Sequence, residues 1–442
     1  MSKYIIIGGK PLSGEVSVRG AKNASFKQII ATLLTNKLCT LTNIPQISDI
    51  KITQSIAKHL GSKIEKFGEH GIKIHTPKIT NSAIPSGTGS KSRTSFMFIP
   101  PVLIRTGQIT FPTPGGDKLG TRPLDRLFNC LSLMGISIKH QNDSTTLKSN
   151  KIFATEYTLL QPSHTVTEVI IMLASLADGK SVFHNTAQEP EIDDLILMLN
   201  KMGAKIKRDT KTPSTVYING VNSLKGINHQ TISDRNEAVT FICAALSTKG
   251  QIDILRIDPN IIRTFLNVIK QMGASVICGK DEVSVKWTKA LKAINIETEP
   301  EPGFMTDWQA VFSVVLTQTT GCNSIVERIF PQRFQHIEIL NKMGAKTKFF
   351  NPKIDNPKSY YHFNPENDHP SFYHGVKIYG PCKLQPANIT INDLRAGATA
   401  TLAALTADGQ SVINNIEYIK RGYENLADRL RSLGANIKYI KS

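Results

Sequence analysis

The stretch HLGSKIEKF, residues 59–67, reads as the end of a helix joined directly to a strand. An apolar residue, Leu60, precedes a glycine, and apolar and charged residues then alternate. Gly61 can adopt the left-handed backbone conformation that commonly ends a helix. Alternation of this kind is typical of a strand with one buried face. The stretch therefore predicts a helix that stops at a glycine and is followed at once by a strand.

The same pattern occurs six times along the chain. Its six glycines are Gly61, Gly135, Gly203, Gly273, Gly344 and Gly434. Successive glycines are 74, 68, 70, 71 and 90 residues apart. Such units are too long for a solenoid repeat and have room for several strands and helices. The spacing therefore predicts α/β domains, each closed by several copies of one unit.

The last interval is longer than the others because it contains an insertion at about residues 351–373. This segment, NPKIDNPKSYYHFNPENDHPSFY, is rich in Pro, Asn and Asp. These residue types favour turns and irregular structure. We therefore expect a surface loop here.

The composition indicates a folded, cytoplasmic protein of two or three domains. The chain has 442 residues, of which 40% are hydrophobic. No apolar run is long enough to span a membrane, and the start, MSKYIIIGGK, lacks the pattern of a signal peptide. Six cysteines lie far apart and mostly in apolar contexts, which favours reduced core residues. They are Cys39, Cys130, Cys243, Cys278, Cys322 and Cys382.

The formal net charge of +18 is compatible with nucleic acid or with an anionic small substrate. A lysine-rich surface explains most of the excess. We find no run of five or more basic residues, so a nucleic-acid-binding arm has little support.

Two segments have features of an anion site. AKNASFKQIIATLLT, residues 21–35, predicts a helix with Lys22 and Asn23 at its N-terminus, where free N–H groups favour an anion. PTPGGDKLGTRPLD, residues 112–125, is a glycine-rich loop that carries Asp117 and Arg122. It is not a P-loop, because no Gly-Lys-Ser/Thr follows.

Six motifs together resemble the enolpyruvyl transferases, in the same order and at similar intervals over nearly the whole chain. They are RGAKNAS, PGGDKLGTRPLD, FMTDWQA, RIFPQRF, NDLRAGA and KRGYENLADRLRSLGA. The resemblance is greatest to the members that act on a nucleotide sugar. It implies an α/β fold of two inside-out α/β barrel domains, each of three βαβαββ repeats. The six glycine-ended units match that number independently.

The resemblance also implies the domain boundaries. One domain would span 22–231, and the other would combine 1–21 with 232–442. The hinges would lie near 20–23 and 231–235. Substrates would bind in the cleft between the domains, and the loop 112–122 would close over them as a lid.

The implied reaction transfers enolpyruvyl from phosphoenolpyruvate to the 3′-hydroxyl of UDP-N-acetylglucosamine and releases phosphate. This is the first committed step of peptidoglycan synthesis, and so bears on cell-wall biogenesis, cell shape and cell division. The family needs no metal or organic cofactor. We expect no nucleic-acid or membrane partner, and a monomer.

The resemblance assigns a cationic site to the substrate anions. Lys22, Arg122 and Arg421 would hold the phosphate and carboxylate of phosphoenolpyruvate, because such groups need fixed cations in a closed site. Arg93 and Arg395 match two further arginines of that site.

The remaining assignments concern the acceptor and the proton transfers. Asp307 would act as the base for the attacking hydroxyl, and Asp393 is the second carboxylate near the reacting centre. Asn23 would hydrogen-bond the sugar or the intermediate. The other acceptor contacts implied are Asp125 beside the uracil, Ser163 near the nucleotide phosphates, Arg333 near the sugar nucleotide, and Ile329.

The lid departs from most family members, which carry a cysteine where this chain has Asp117. That cysteine is the target of fosfomycin, and a carboxylate is a much weaker nucleophile toward an epoxide than a thiolate. A carboxylic acid with a raised pKa in a closed, dry lid could still donate a proton to C3. We therefore expect Asp117 to be a general acid and the protein to resist fosfomycin.

Two alternatives remain open at the sequence level. Gln161 and Pro162 replace a usual lysine and an apolar residue, and Arg126 replaces an apolar residue beside the uracil. A paralogous enolpyruvyl transferase that acts on another nucleotide or nucleotide sugar therefore remains an alternative. A lesser alternative is a basic RNA-binding or RNA-processing protein, since related α/β units occur in RNA 3′-phosphate cyclases.

Overall fold

The structure, a computed structural model, describes residues 2–90, 93–113 and 124–441. The described residues divide into two compact units. The terminal unit contains residues 2–19 and 233–441, and the middle unit contains residues 20–90, 93–113 and 124–232. The predicted lid, 112–122, and with it Asp117 and Arg122, lies outside the described residues apart from its first two positions.

The strands are short and are numbered here in chain order. They are Lys3–Gly8 (β1), Ser13–Ser17 (β2), Cys39–Thr42 (β3), Lys63–Lys66 (β4), Ile72–His75 (β5), Gln108–Pro112 (β6), Ser137–Gln141 (β7), Ser144–Lys148 (β8), Glu156–Thr158 (β9), Lys180–His184 (β10), Lys205–Arg208 (β11), Val216–Asn219 (β12), Asn228–Gln230 (β13), Gln251–Leu255 (β14), Ser275–Cys278 (β15), Glu282–Lys286 (β16), Asn295–Glu297 (β17), Gly321–Val326 (β18), Lys346–Phe350 (β19), Gly375–Gly380 (β20), Asn388–Thr390 (β21), Gly409–Asn414 (β22) and Asn436–Ile440 (β23).

The helices alternate with these strands. The α-helices are Lys22–Thr32 (α1), Ser48–His59 (α2), Ser86–Gly89 (α3), Ile99–Thr106 (α4), Asp125–Leu133 (α5), His164–Ala174 (α6), Pro190–Lys201 (α7), Arg235–Ser247 (α8), Arg263–Met272 (α9), Thr306–Leu316 (α10), Gln335–Lys342 (α11), Pro357–Tyr360 (α12), Leu394–Thr406 (α13) and Leu426–Ser432 (α14). Short 3-10 helices are Ser95–Phe98, Pro259–Ile262, Pro365–Asn367 and Ile416–Arg421.

Within the described residues, the strands of each unit form three separate sheets. In the middle unit the strand orders are β13-β3-β5-β4, β6-β8-β7 and β11-β12-β10-β9. In the terminal unit they are β15-β16-β14-β2, β17-β18-β20-β19 and β21-β22-β1-β23. Each four-stranded sheet has one parallel edge pair, such as β2 with β14, where Ser13 pairs with Gln251. In the three-stranded sheet a bridge between Ala83 and Thr110 takes the place of the parallel edge strand.

Three helices fill the inside of each unit, with the sheets outside. These helices are α1, α4 and α6 in the middle unit, and α8, α10 and α13 in the terminal unit. Every residue of α8 is buried, and nearly all of α10 and α13 are. Each unit has its own apolar core. The predicted fold, with helices inside, sheets outside and three repeats in each unit, is confirmed.

The glycine pattern that predicted the repeats is confirmed in its backbone geometry. The φ angles are 109° at Gly61, 81° at Gly135, 106° at Gly203, 103° at Gly273, 88° at Gly344 and 93° at Gly434. Each glycine follows a surface helix, and one residue separates it from the next strand. A side chain at such a φ would be strained, which explains why glycine recurs there.

The three inner helices of the middle unit end on the same side. Their C-terminal segments, 34–36, 103–107 and 176–179, all contribute to the lining of one cavity of about 940 Å³. The helices therefore begin at the opposite end of the unit. That end carries the starts of α1 and α6, with the candidate residues Lys22, Asn23 and Ser163.

Four cysteines are buried, as predicted, but Cys278 and Cys322 are exposed. In the described residues no helix is long and apolar enough to cross a membrane.

The insertion 351–373 lies between β19 and β20 and is only partly the surface loop predicted. It contains α12, and the side chains of Tyr361 and Phe363 are buried. Their rings stack with centroids 4.8 Å apart. The prediction was wrong for these two residues because the loop folds back and buries its aromatic side chains.

Candidate active site

Several candidate residues lie in the first turns of the inner helices α1, α10 and α13. In α10 the residue that is not buried is Asp307, and in α13 Arg395 is one of two such residues. In α1 the buried run starts after Lys22 and Asn23. The fold thus hides the body of each helix and leaves polar groups at its N-terminus, where the helix dipole favours anions.

Asp307 is held between two arginines. Arg333 donates to Asp307 Oδ1, and Arg395 Nη2 donates to Asp307 Oδ2 at 2.9 Å. Both guanidinium groups are largely shielded from solvent. Such charge-assisted hydrogen bonds stabilise the ionised carboxylate. The terminal unit therefore brings together three of the residues predicted from the motifs.

Arg395 is also held by Tyr423. Its Nη1 donates to the hydroxyl of Tyr423 at 3.0 Å, and that hydroxyl lies 2.8 Å from the Thr240 hydroxyl. Burial alone would lower the pKa of Arg395, but Asp307 and Tyr423 raise it above its ordinary value. Burial raises the pKa of Tyr423, so the phenol stays neutral. Arg395 is therefore a permanent cation in a fixed orientation.

Asp393 begins the helix that carries Arg395. Its Oδ1 accepts from the backbone N–H groups of Arg395 and Ala396, at 2.8 and 2.9 Å. This is the geometry of an N-terminal helix cap. The contact gives Asp393 a part in placing Arg395, and its predicted place beside the reacting centre stays a prediction.

A buried carboxylate, Glu327, organises the segment that holds Ile329 and Arg333. Glu327 Oε1 accepts from the backbone N–H groups of Ile329 and Phe330, at 2.8 and 3.1 Å. Its Oε2 accepts from the Thr306 hydroxyl at 2.8 Å, next to Asp307. Burial raises the pKa of Glu327, and Arg333 opposes that shift. Glu327 thus ties the backbone of Ile329 and Phe330 to the start of α10.

Trp308 is a core residue. It is 1% exposed and packs edge-to-face against Phe265 and Phe304, with ring centroids 5.8 and 5.5 Å away. Its large side chain after Asp307 therefore fills the interior and anchors the first turn of α10.

The middle unit places a cation at the start of α1. Lys22 Nζ lies 2.7 Å from Asp49 Oδ2, and the Asp49 side chain is buried. Asn23 follows Lys22 in the same helical turn. A buried carboxylate beside the ammonium fixes its position.

Ser163 caps α6, and a buried polar cluster lies directly below it. The Ser163 hydroxyl accepts from the Val166 N–H at 3.4 Å. Lys27 Nζ lies 2.8 Å from Glu168 Oε1 and 3.2 Å from His164 Nδ1. The cluster joins α1 to α6 near their N-termini.

The other predicted residues are placed as follows. The Arg93 guanidinium lies 5.4 Å from the centre of the Phe96 ring. Asp125 is the exposed first residue of α5. Arg421 is half-buried at the end of a 3-10 helix. The roles of these three residues stay predictions.

The residues that the sequence did not indicate are Asp49, Glu327 and Tyr423. Tyr423 alone had a signal, because it stands two positions after Arg421 in the motif RGYEN. Asp49 and Glu327 acquire their partners only through the fold.

Replacing Glu168 with glutamine should change how stability depends on pH. Burial raises the pKa of Glu168 from 4.5 to about 8, although Lys27 opposes the shift. Because the pKa of Glu168 is higher in the folded protein than in the unfolded chain, its protonation stabilises the folded protein. This stabilisation is complete below the pKa of the unfolded chain and is lost as the pH rises toward 8. The wild-type free energy of unfolding should therefore fall over this window by about 1 kcal/mol or more relative to Glu168→Gln.

Urea unfolding at about pH 5 and about pH 8 measures the difference. Glu65→Gln, on the exposed face of β4, is the matched control and should follow the wild type. Parallel pH profiles for wild type and Glu168→Gln would contradict the expected titration.

The chain matches the profile of one protein family, described as EPSP synthase (3-phosphoshikimate 1-carboxyvinyltransferase), over residues 6–430. The chain belongs to this family of enolpyruvyl transferases. It is 37% identical over 440 residues to UDP-N-acetylglucosamine 1-carboxyvinyltransferase 1 of Carboxydothermus hydrogenoformans, covering 100% of this chain and 99% of the relative. It is 36% identical over 441 residues to UDP-N-acetylglucosamine 1-carboxyvinyltransferase of Pelagibacter ubique, covering both chains completely.

Solved enolpyruvyl transferases share the fold. The crystal structure of NikO from Streptomyces tendae matches with a TM-score of 0.85 at 21% identity, covering 100% of this chain and 99% of that one. EPSP synthase from Acinetobacter baumannii matches with a TM-score of 0.74 at 18% identity, covering both chains completely. The six-motif resemblance is thus confirmed at the level of the family.

Proposed function

We propose that this enolpyruvyl transferase acts on UDP-N-acetylglucosamine, in the cytoplasm, in the first committed step of peptidoglycan synthesis. The observation that carries the proposal is the Asp307 carboxylate held between Arg333 and Arg395. It combines a base with two cations at the exposed start of a buried helix. Full-length relatives at 35–37% identity that are named for this activity support the choice of acceptor.

The reaction has two steps under this proposal. Asp307 removes the proton of the acceptor hydroxyl, whose oxygen bonds to C2 of phosphoenolpyruvate while the carboxylic acid of Asp117, outside the described residues, donates a proton to C3. A tetrahedral intermediate results. The bond from C2 to the phosphate oxygen then breaks, a proton leaves C3, and the double bond between C2 and C3 forms again. The products are the enolpyruvyl ether and phosphate.

The cations bind the anionic substrate and balance its charge. Phosphoenolpyruvate brings a phosphate and a carboxylate, and its binding in a closed site requires preorganised positive groups. The cations that bind phosphoenolpyruvate are Arg395 and Lys22, each fixed by a carboxylate, together with Arg93 and Arg421. Arg122, outside the described residues, is the fifth.

Five residues are assigned to the acceptor. Ser163, at the N-terminus of α6, is placed near the nucleotide phosphates, where backbone N–H groups favour an anion. Asp125, the first residue of α5, is placed beside the uracil. Asn23, Ile329 and Arg333 complete the set. Asp393 serves Arg395 and assists at the reacting centre.

Phosphate release tests the acceptor. With phosphoenolpyruvate alone we expect no release, and with UDP-N-acetylglucosamine we expect continuous release. Shikimate 3-phosphate, UMP and UDP-glucose are the comparison acceptors. Release with UMP and not with the sugar nucleotide would instead support the paralogue that the departures at Gln161, Pro162 and Arg126 keep open.

The wild-type protein should resist fosfomycin, and Asp117→Cys should become sensitive. A thiolate opens the epoxide readily, whereas a carboxylate is a poor nucleophile toward it. Residual phosphate release and intact-protein mass after incubation with fosfomycin measure the effect. Cys278 and Cys322 are exposed in both proteins and serve as internal controls for general thiol alkylation. A fosfomycin adduct at Asp117 in the wild type would contradict the prediction.

A further inference from the structure

The segment 327–333, which carries Ile329 and Arg333, is bound at its start at two backbone positions, by the insertion 351–373 and by the residue that follows it. The N–H of His362 donates to the carbonyl of Arg328 at 2.7 Å. The N–H of Glu327 donates at 2.8 Å to the carbonyl of His374, the residue that immediately follows the insertion. His362, in the middle of the loop, and His374, just after it, therefore hold the backbone of Arg328 and Glu327.

Arg328 provides the side-chain part of the same attachment. Its Nε donates to the Tyr360 carbonyl at 2.9 Å, and its guanidinium lies 4.0 Å from the centre of the Tyr360 ring. The guanidinium also pairs with Glu297, at 3.1 Å, and with Glu299. His362 Nε2 lies 3.1 Å from Glu299 Oε2, so loop and strand share one charged cluster.

The bound segment leads directly into the proposed site. Glu327 holds the backbone of Ile329 and the Thr306 hydroxyl, and Arg333 donates to Asp307. A shift of Glu327 would therefore move the backbone of Ile329 together with Thr306, the neighbour of Asp307.

We propose that the insertion is a positioning element of the acceptor site, and that Arg328 is its key residue. Tyr360 and His362 hold Arg328, and through Glu327 this sets the segment that presents Ile329 and Arg333. The inference rests on the proposed function for the identity of the acceptor. It concerns binding of the sugar nucleotide, because the segment that Arg328 holds leads to Ile329 and Arg333, the residues assigned to the acceptor.

The sheet geometry allows the loop to be removed cleanly. β19 and β20 pair in antiparallel register up to Phe350 and Gly375. Replacing 352–373 with Asn-Gly gives a tight turn suited to a hairpin. Arg328 then loses Tyr360 and His362 and keeps Glu297 and Glu299.

Steady-state kinetics of the deletion variant, Arg328→Ala, Tyr360→Ala and His362→Ala test the proposal. We expect the KM for UDP-N-acetylglucosamine to rise about 10- to 100-fold in the deletion and in Arg328→Ala. The KM for phosphoenolpyruvate should change less than about threefold. Arg328→Lys, which keeps the charge but not the planar stack, should restore part of the loss.

The matched control is His369→Ala. His369 also belongs to the insertion and its ring binds Ser371, at 2.7 Å, within the loop. Its KM values should equal those of the wild type. Equal rises of both KM values, or unchanged KM for the sugar nucleotide in the deletion variant, would overturn the proposal.

Backbone hydrogen exchange separates this inference from the proposed function. In the deletion variant and in Arg328→Ala, the amides of Ile329 and Phe330 should exchange at least about tenfold faster, while those of α8 keep their protection. Unchanged exchange would overturn the positioning role whatever the acceptor is. If the wild type does not use UDP-N-acetylglucosamine, the proposed function fails, and the exchange result still decides the inference.

Discussion

Asp307→Asn should lower kcat by about 10²- to 10⁴-fold, the range associated with removal of a general base. The amide has nearly the same shape as the carboxylate and can still accept a hydrogen bond from Arg333 or Arg395. It cannot take a proton from the acceptor hydroxyl. The loss should therefore fall mainly on kcat, with the KM for phosphoenolpyruvate changed much less.

Initial rates of phosphate release measure this effect, and thermal unfolding shows whether the variant is folded. Asp281→Asn, at an exposed position of the same unit, is the matched control and should retain wild-type activity. A folded Asp307→Asn protein with kcat within about threefold of the wild type would remove Asp307 from the role of base.

Arg395→Ala should lower kcat/KM for phosphoenolpyruvate by about 10²- to 10³-fold, similar to the loss of one preorganised donor at developing charge. The truncation removes a buried cation that Asp307 and Tyr423 orient. It also leaves Asp307 with one arginine in place of two. Arg395→Lys should recover only part of the activity, because an ammonium cannot bridge a carboxylate and a phenol in the same plane.

Arg263→Ala, an exposed arginine at the start of α9, is the control and should be silent. The double variant Asp307→Asn/Arg395→Ala should lose less than the two single losses combined, since the residues contact each other. Full additivity would show that the two side chains act independently and would contradict the proposed unit.

The repeat pattern predicted the fold because a helix end with left-handed backbone geometry favours glycine. Each glycine stands where a surface helix must end in a left-handed residue before a strand begins, and all six glycines have that conformation. The number of copies and their spacing were therefore enough to predict α/β domains closed by several copies of one unit, and the family resemblance supplied the number of three in each domain. The missing edge strand beside β6 was not predictable, because a single bridge at Ala83 leaves no alternating pattern.

The candidate site was predictable only where a motif carried it. Asp307, Arg333 and Arg395 lie in three separate motifs, and the fold brings them into direct contact. Asp49 and Glu327 gave no signal, because a carboxylate looks the same in sequence whether it is buried with a partner or exposed. Their roles depend on contacts between segments that only the folded chain makes.

The insertion shows the same limit from the other side. Its composition correctly indicated irregular structure, but the composition does not reveal which segment a loop binds. Arg328 binds Tyr360 of the loop through a carbonyl and a ring, and it pairs with Glu297 and Glu299 outside the loop. Neither Arg328 nor Tyr360 stands in a pattern that predicts this contact.

The most direct test of the central claim is the chemical structure of the product. Wild-type protein, phosphoenolpyruvate and UDP-N-acetylglucosamine are incubated, and the sugar nucleotide is purified and examined by NMR and mass spectrometry. We expect one vinyl ether on the 3′-oxygen, in a molar amount equal to that of the phosphate released. Unmodified sugar nucleotide with pyruvate and phosphate, or an enolpyruvyl group on another hydroxyl, would contradict it.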